Sequence, residues 1–228
     1  MRSFMVSTAA ALAVALSPAA ATAAVLVQST FDASAEGWRR GDMVSPGSEF
    51  AAPWEAAGYI TGADNFNLAA LIAPTAWLGD QSAAFGGTFS FDIRVAANDA
   101  PESYPALALI SGSTVLYAKR GFIPAVNTWS SYSVGLTGDN FYTGNFYSGA
   151  GVVTDADLQA VLANLTRVSV LVDWNSGGDD VRLDNVVLAS SASGNPGAIP
   201  EPSAWALMIL GFGAAGSMLR AGRRRALA

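Results

Sequence analysis

Two copies of one five-residue pattern lie side by side: Asn140-Phe141-Tyr142-Thr143-Gly144, then Asn145-Phe146-Tyr147-Ser148-Gly149. They sit in a Gly-rich stretch from Gly138 to Gly151, where a loop is ordinarily polar. The rings of Phe141, Tyr142, Phe146 and Tyr147 can cover the C–H faces of a sugar, and the tyrosine hydroxyls can meet its polar groups. These four are the candidate contacts for a glycan or a surface partner. The competing reading is a long excursion whose rings fold back over the domain.

The remaining chemistry is narrow. The chain has no histidine and no cysteine, which removes Ser-His-Asp and Cys-His catalysis, His-ligated zinc and disulfide staples. Lys119 is the single lysine. A glycoside hydrolase would need two carboxylates at a set separation across a cleft. Asp155 and Asp157 can be drawn as such a pair, but a helix start explains both. Thr154 is its cap, Asp157 stands in the capping-box position and Asp155 lies near the positive end. No catalytic residue is assigned. Gly211-Phe212-Gly213-Ala214-Ala215-Gly216 satisfies the dinucleotide-binding pattern, yet it lies inside an apolar run and not after a strand. Small residues in such a run let helices approach closely.

Both ends read as addresses. Residues 1–23 form a secretory signal peptide: Arg2, an apolar run from Ala9 to Leu16, and Ala21-Thr22-Ala23 as a small-residue cleavage site. At the other end, Pro200-Glu201-Pro202 precedes an uncharged run of 17 residues, Ser203 to Leu219, and then Arg220 and Arg223-Arg224-Arg225. As a helix that run spans roughly 25 Å, at the short end for a bilayer core of about 30 Å. The arginines stay cytoplasmic. The expected product is an exported precursor held in the inner membrane by residues 203–219, with 24–190 as cargo and 191–199 as a flexible linker. Setting aside Arg2, the four tail arginines and Glu201, seven basic and seventeen acidic residues remain, a net charge of −10. Such a cargo is repelled by nucleic acid, so no nucleic-acid partner is expected.

The cargo reads as all-β. Val25 to Gln28 is a short β lead-in, and Arg39 to Pro53 is a Gly/Pro/Ser-punctuated loop. Gly58 to Thr61 and Leu68 to Ala73 are strands. From Thr88 to Val95, apolar Phe89, Phe91, Ile93 and Val95 alternate with Thr88, Ser90, Asp92 and Arg94, one face buried and one wet. Leu107 to Ile110 and Val115 to Ala118 flank a Ser111-Gly112-Ser113 turn, and Tyr132, Val134 and Leu136 alternate in another strand. Leu158, Val161, Leu162 and Leu165 place one apolar stripe on a helix. Val168 to Trp174 alternates again, and Val181 to Leu188 returns as its expected hairpin partner after Asn175-Ser176-Gly177-Gly178. Short strands, Gly-rich turns and one small helix imply a jelly-roll β-sandwich.

Two resemblances sharpen this. The tail, from Pro200-Glu201-Pro202 through Ser203-Ala204-Trp205-Ala206 and Leu207-Met208-Ile209-Leu210-Gly211-Phe212-Gly213 to the arginines, resembles the PEP-CTERM signal of Gram-negative bacteria. That implies an exosortase as partner, with processing of the tail and release or transfer of the cargo to the cell surface, in a setting of exopolysaccharide and biofilm. A permanent single-span anchor is the alternative. The cargo is similar to the laminin B (laminin IV type A) domain across most of Phe31 to Ser190. The resemblance is carried by Ala73 to Gly87 running into Phe89-Ser90-Phe91-Asp92-Ile93-Arg94, by Trp129 to Leu136, by Asp155 to Leu165 and by Val181 to Val186. This implies a non-catalytic matrix or adhesion module. Jelly-roll modules of the galactose-binding kind often hold a structural calcium, and the similar positions here are Asp32 and Asp184. The alternatives are a carbohydrate-binding module using the loop 138–151 and a carboxylate-based glycoside hydrolase.

Overall fold

The computed structural model describes residues 23–63, 65–99, 104–149 and 151–192. The signal peptide up to residue 22 and the tail with Pro200, Glu201 and Pro202 lie outside them. Among the described residues, no helix is long and apolar enough to cross a membrane.

In chain order the strands are β1 (Val25–Ser29), β2 (Arg39–Asp42), β3 (Phe50–Ala51), β4 (Trp54–Glu55), β5 (Tyr59–Gly62), β6 (Ala69–Ile72) and β7 (Thr88–Val95). There follow β8 (Leu107–Ser111), β9 (Thr114–Ala118), β10 (Ser130–Gly135), β11 (Phe141–Thr143), β12 (Gly151–Val152), helix α1 (Asp155–Leu162), β13 (Arg167–Leu171) and β14 (Val181–Ala189). They build two sheets. One runs β10-β7-β14-β5-β4 with β1 also on β14; the other runs β12-β11-β9-β8-β13-β6-β2-β3. The result is a mostly β, sandwich-like domain with one helix.

Local sequence explains several elements directly. Along β7 the apolar residues are buried and the polar ones face outward, as a two-residue period requires. β8 and β9 pair as the expected hairpin, from Ala108 opposite Tyr117 to Ser111 opposite Thr114. At α1, Thr154 Oγ1 accepts from Asp157 N at 3.2 Å and the Asp157 carboxylate accepts from Thr154 N at 2.9 Å, a reciprocal capping box. Asp155 Oδ1 accepts from Gly138 N at 2.7 Å, tying the helix start to the preceding loop. Gly138 is required there, since a Cβ would sit 2.4 Å from the Thr154 carbonyl carbon. Both acids of that pair therefore hold the backbone.

Between the sheets runs a chain of rings: Phe31 to Trp38 at 5.9 Å, Trp38 to Trp77 at 5.7 Å, Trp77 to Phe89 at 5.7 Å, Phe89 to Phe91 at 6.3 Å and Phe91 stacked on Tyr132 at 4.8 Å. Two indoles meet one polar group: buried Ser29 Oγ accepts from Trp38 Nε1 at 2.9 Å and Trp77 Nε1 at 3.3 Å. A buried indole needs such a partner.

Two expectations are corrected. The stretch from Arg39 to Pro53, expected as loop, contributes β2 and β3. β2 pairs with β6 from Arg39 opposite Ile72 to Asp42 opposite Ala69, so tertiary pairing overrides the turn-rich composition. The second concerns β13 and β14, which do not form a hairpin. β13 is buried along its whole length between β6 and β8 in one sheet, whereas β14 pairs with β7, β5 and β1 in the other. The Asn175–Gly178 turn thus carries the chain from one sheet to the other. β14 changes neighbour along one edge, from β5 at Val181–Leu183 to β1 at Val186–Ala189, and its register on β7 shifts between Asp184 and Val187. Asn185 sits in that bulge at φ 50°.

Candidate functional site

The tandem aromatic stretch turns inward. Phe141 and Tyr142 lie on β11, opposite Ala118 and Tyr117 of β9, and Phe141, Tyr142 and Phe146 are all buried. Tyr142 Oη donates to the Phe146 carbonyl at 2.8 Å, which closes the turn, and burial raises its hydroxyl pKa. Asn145 Oδ1 accepts from Tyr147 N and Ser148 N, and Gly144 supplies a φ of 93°. Arg120 lies 5.3 Å from the Tyr142 ring and donates to the Tyr147 carbonyl at 2.5 Å. Three of the four proposed contact rings are therefore packing groups of the domain: Phe141 belongs to the core, and Tyr104, Tyr117 and Arg120 give Tyr142 and Phe146 intramolecular partners. Tyr147 is the exception: it is 53% exposed and meets Tyr104 at 5.9 Å.

Asp32 and Asp184 belong to one acidic corner. Asp32 is exposed, and its carboxylate accepts from Thr30 Oγ1 at 2.7 Å. Asp184 is half-buried and accepts from Asn185 N at 2.7 Å. Burial, and then the fields of Asp92, Asp32 and Glu36, push the Asp184 carboxyl above its usual range, against the Asn185 hydrogen bond that lowers it. The Asn185 side chain spans the corner, donating to Asp92 at 3.0 Å and Asp184 at 3.3 Å. Glu36 Oε1 accepts from Phe31 N at 2.8 Å and Thr30 N at 3.1 Å. Phe31, Glu36 and Asn185 all adopt positive φ, a costly conformation for residues with a Cβ. The oxygen chemistry suits calcium, but no group of three or more acidic residues among those described is gathered tightly enough to hold a metal.

Two clefts are lined by described residues. One, of about 440 Å³, is lined by Arg39, Glu49, Ile72, Pro74, Leu78 and Arg167 among others. Glu49 lies between two arginines, with Arg39 Nε at 3.1 Å and Arg167 on its other oxygen, while Arg167 also donates to the Asp42 carbonyl at 2.5 Å. The other, of about 390 Å³, is lined by Lys119, Arg120, Phe122, Ser131, Tyr132 and Asn140 among others, without a carboxylate. Neither cleft brings together the two carboxylates that glycoside hydrolysis needs.

A further group went unnoticed in the sequence. Asp92 and Arg94, placed there only on the wet face of a strand, stand directly opposite Asp184 and Arg182, and Tyr59 and Trp129 meet nearby at 6.0 Å. Nothing in one strand's pattern announces its neighbour's register, so this surface was not legible before folding.

Residues 70–205 match the Laminin B (Domain IV) family, and residues 198–225 match the PEP-CTERM protein-sorting motif. Human laminin subunit gamma-1 is 27% identical over 184 residues, which is 78% of this chain and 11% of that protein. The chain thus spans about a tenth of the length of this relative. The L4b domain of human laminin alpha-2 superposes with a TM-score of 0.59 at 12% identity, covering 72% of this chain and 97% of that domain. An agarase structure aligns over 74% of this chain and 24% of its own at 12% identity, with a TM-score of 0.43, below the level of a shared fold. The matched span exceeds half of the sequence, and the chain belongs to the laminin B (domain IV) family, with a PEP-CTERM sorting motif at residues 198–225.

Proposed function

We propose that this protein is a non-catalytic surface or extracellular-matrix component of a biofilm, exported by its signal peptide and sorted by an exosortase through its PEP-CTERM motif. The observation that carries this reading is the coupling, in one chain, of a laminin-type module at 70–205 to a sorting motif at 198–225. In this reading residues 203–219 hold the precursor in the inner membrane until processing, and the arginines beyond keep that end inside. The module then reaches the cell surface or medium, where extracellular polysaccharide or surface molecules are its partners. Intact mass tests this on protein from the membrane and medium of the producing strain, with and without its exosortase. The expected medium form lacks the signal peptide and the tail, and loss of the exosortase leaves a tailed form in the membrane. An identical tailed form in both strains overturns the proposal.

The acidic corner, in the same reading, takes a structural calcium with Asp32 and Asp184 among its ligands. The support is the gathering of Asp92, Asp32 and Glu36 around half-buried Asp184, whose fields add to burial in raising its carboxyl. A calcium there would supply the opposite charge and cross-link the early loop to β14. Glycan binding through the tandem loop now rests on Tyr147 alone among the four rings first considered.

A further inference from the structure

The outer face of the six-stranded sheet carries an unusual charge order. Arg94 of β7 stands directly opposite Arg182 of β14, and Asp92 directly opposite Asp184. Like charges in directly opposed positions destabilise a sheet, and here two such pairs occupy consecutive positions on one face. Exchanging Arg94 with Asp92 would have made two cross-strand ion pairs instead. The acidic pair is bridged by Asn185, and Ser131 Oγ donates to Asp92 at 2.6 Å. The arginine pair is less well matched. Arg94 donates to the Asn127 carbonyl at 3.1 Å and Asn127 Oδ1 at 3.5 Å, and Arg182 has the largely exposed Asp180 only at 3.8 Å.

Two rings meet beside these arginines. Tyr59 on β5 and Trp129, just before β10, stand three strand spacings apart in the sheet, a backbone separation of roughly 14 Å. Their ring centroids are nevertheless 6.0 Å apart at 65°, so both side chains lean across β7 and β14 toward each other. The Arg182 guanidinium lies 5.2 Å from the Tyr59 ring, and Trp129 remains 42% exposed. The loop that presents Trp129 holds Asn127 at φ 58°, and the same Asn127 anchors Arg94.

We infer that Arg94, Arg182, Tyr59 and Trp129 form a subsite for a carboxylate-bearing sugar of an acidic polysaccharide. The planar guanidinium fork matches a carboxylate, and an exposed indole covers the apolar face of a pyranose while hydroxyls stay in water. Bound carboxylate would also offset the repulsion between the two arginines. Because the cargo carries net −10, attraction is confined to this spot and long-range steering does not assist binding. The inference rests on the matrix proposal only for where such a glycan would be met.

The test is microscale thermophoresis of the full-length chain in detergent micelles, with EDTA present so that calcium held by carboxylates cannot bridge the ligand. The probes are tetragalacturonate, tetramannuronate, tetraguluronate and the methyl ester of each, which keeps the rings and removes the charge. At least one uronate should bind. Its affinity should fall about tenfold or more in the Arg94→Gln/Arg182→Gln double variant and on methyl esterification, as for loss of a charge-assisted pair. Trp129→Ala should weaken it about tenfold through lost ring contact, with circular dichroism unchanged. Lys119→Gln, away from the patch, should leave it intact. Binding of no uronate, equal binding of the ester, or full affinity in the double variant overturns the inference. Uronate binding without retention of the protein in its own strain's matrix would instead count against the matrix proposal and leave the subsite standing.

Discussion

The outer faces of the two sheets differ in kind. On the eight-stranded sheet, β6, β8 and β13 are buried on both sides almost throughout. Buried Met43 accepts from Ser169 Oγ at 2.8 Å, Glu49 joins Arg39 to Arg167, and Tyr142 is held by Phe146. On the six-stranded sheet the outward residues of β7 and β14 remain partly exposed, and like charges face one another. The first face spends most of its polar groups on intramolecular partners, although buried Arg40 Nε and Arg167 Nε have none. The second leaves guanidinium groups and rings where an external molecule can reach them. A ligand surface is therefore better sought where the fold tolerates local conflict than where aromatic residues are densest in sequence.

The contrast can be broken most forcefully at Arg167. Arg167→Ala leaves mostly buried Glu49 with Arg39 alone and removes the donor to the Asp42 carbonyl. It should cost about 3–5 kcal/mol in urea unfolding, the range for breaking a buried ion pair. A loss under about 1 kcal/mol would show that this pair does not hold the closed face shut.

Calcium provides the next largest effect. At a hundredfold excess over its dissociation constant, a structural ion adds about 2.7 kcal/mol, so EGTA should lower the melting temperature by several degrees. Asp184→Asn sharpens this through its sign. A carboxyl whose folded pKa is raised gives stability that is full below its unfolded value and lost as pH rises through the folded one. In EGTA at neutral pH the variant should therefore melt higher than the parent, whereas with calcium it should melt lower. A lower melting point in both conditions would remove the electrostatic account of the corner.

Smaller effects separate the faces further. Tyr142→Phe deletes one buried hydroxyl donor and leaves the Phe146 carbonyl with only the longer 3.5 Å bond from Arg120, at a cost of about 1 kcal/mol by chemical denaturation. On the open face, Arg182→Gln should change stability by less than about 0.5 kcal/mol, as surface substitutions do. Tyr147→Ala should change stability just as little, although its neighbours in the tandem repeat are core residues. A large loss there would mean that Tyr147, too, serves packing alone.

Much of the fold could be read from short-range pattern. The alternation of Thr88 to Val95, the Ser111-Gly112-Ser113 hairpin and the Thr154/Asp157 box are written within a few residues, and each has the expected form. What escaped was non-local. Val168 to Trp174 looks half-buried in sequence, yet β13 is buried at every residue and its sheet neighbours β6 and β8 lie far away in the chain. The tandem repeat resembles an exposed sugar platform, but Tyr117 and Tyr104 take up its rings.

By itself, then, the sequence determined the β character, the helix cap, the acidic cargo without histidine or cysteine, and the sorting motif. Each of these depends on residue type or on spacing within one element. The partner of β14, the burial of Phe141, Tyr142 and Phe146, and the meeting of Arg94 with Arg182 were decided only by the tertiary structure. Strand register across a sheet, and which face a loop covers, follow from contacts between segments tens of residues apart, whose energies no local window contains.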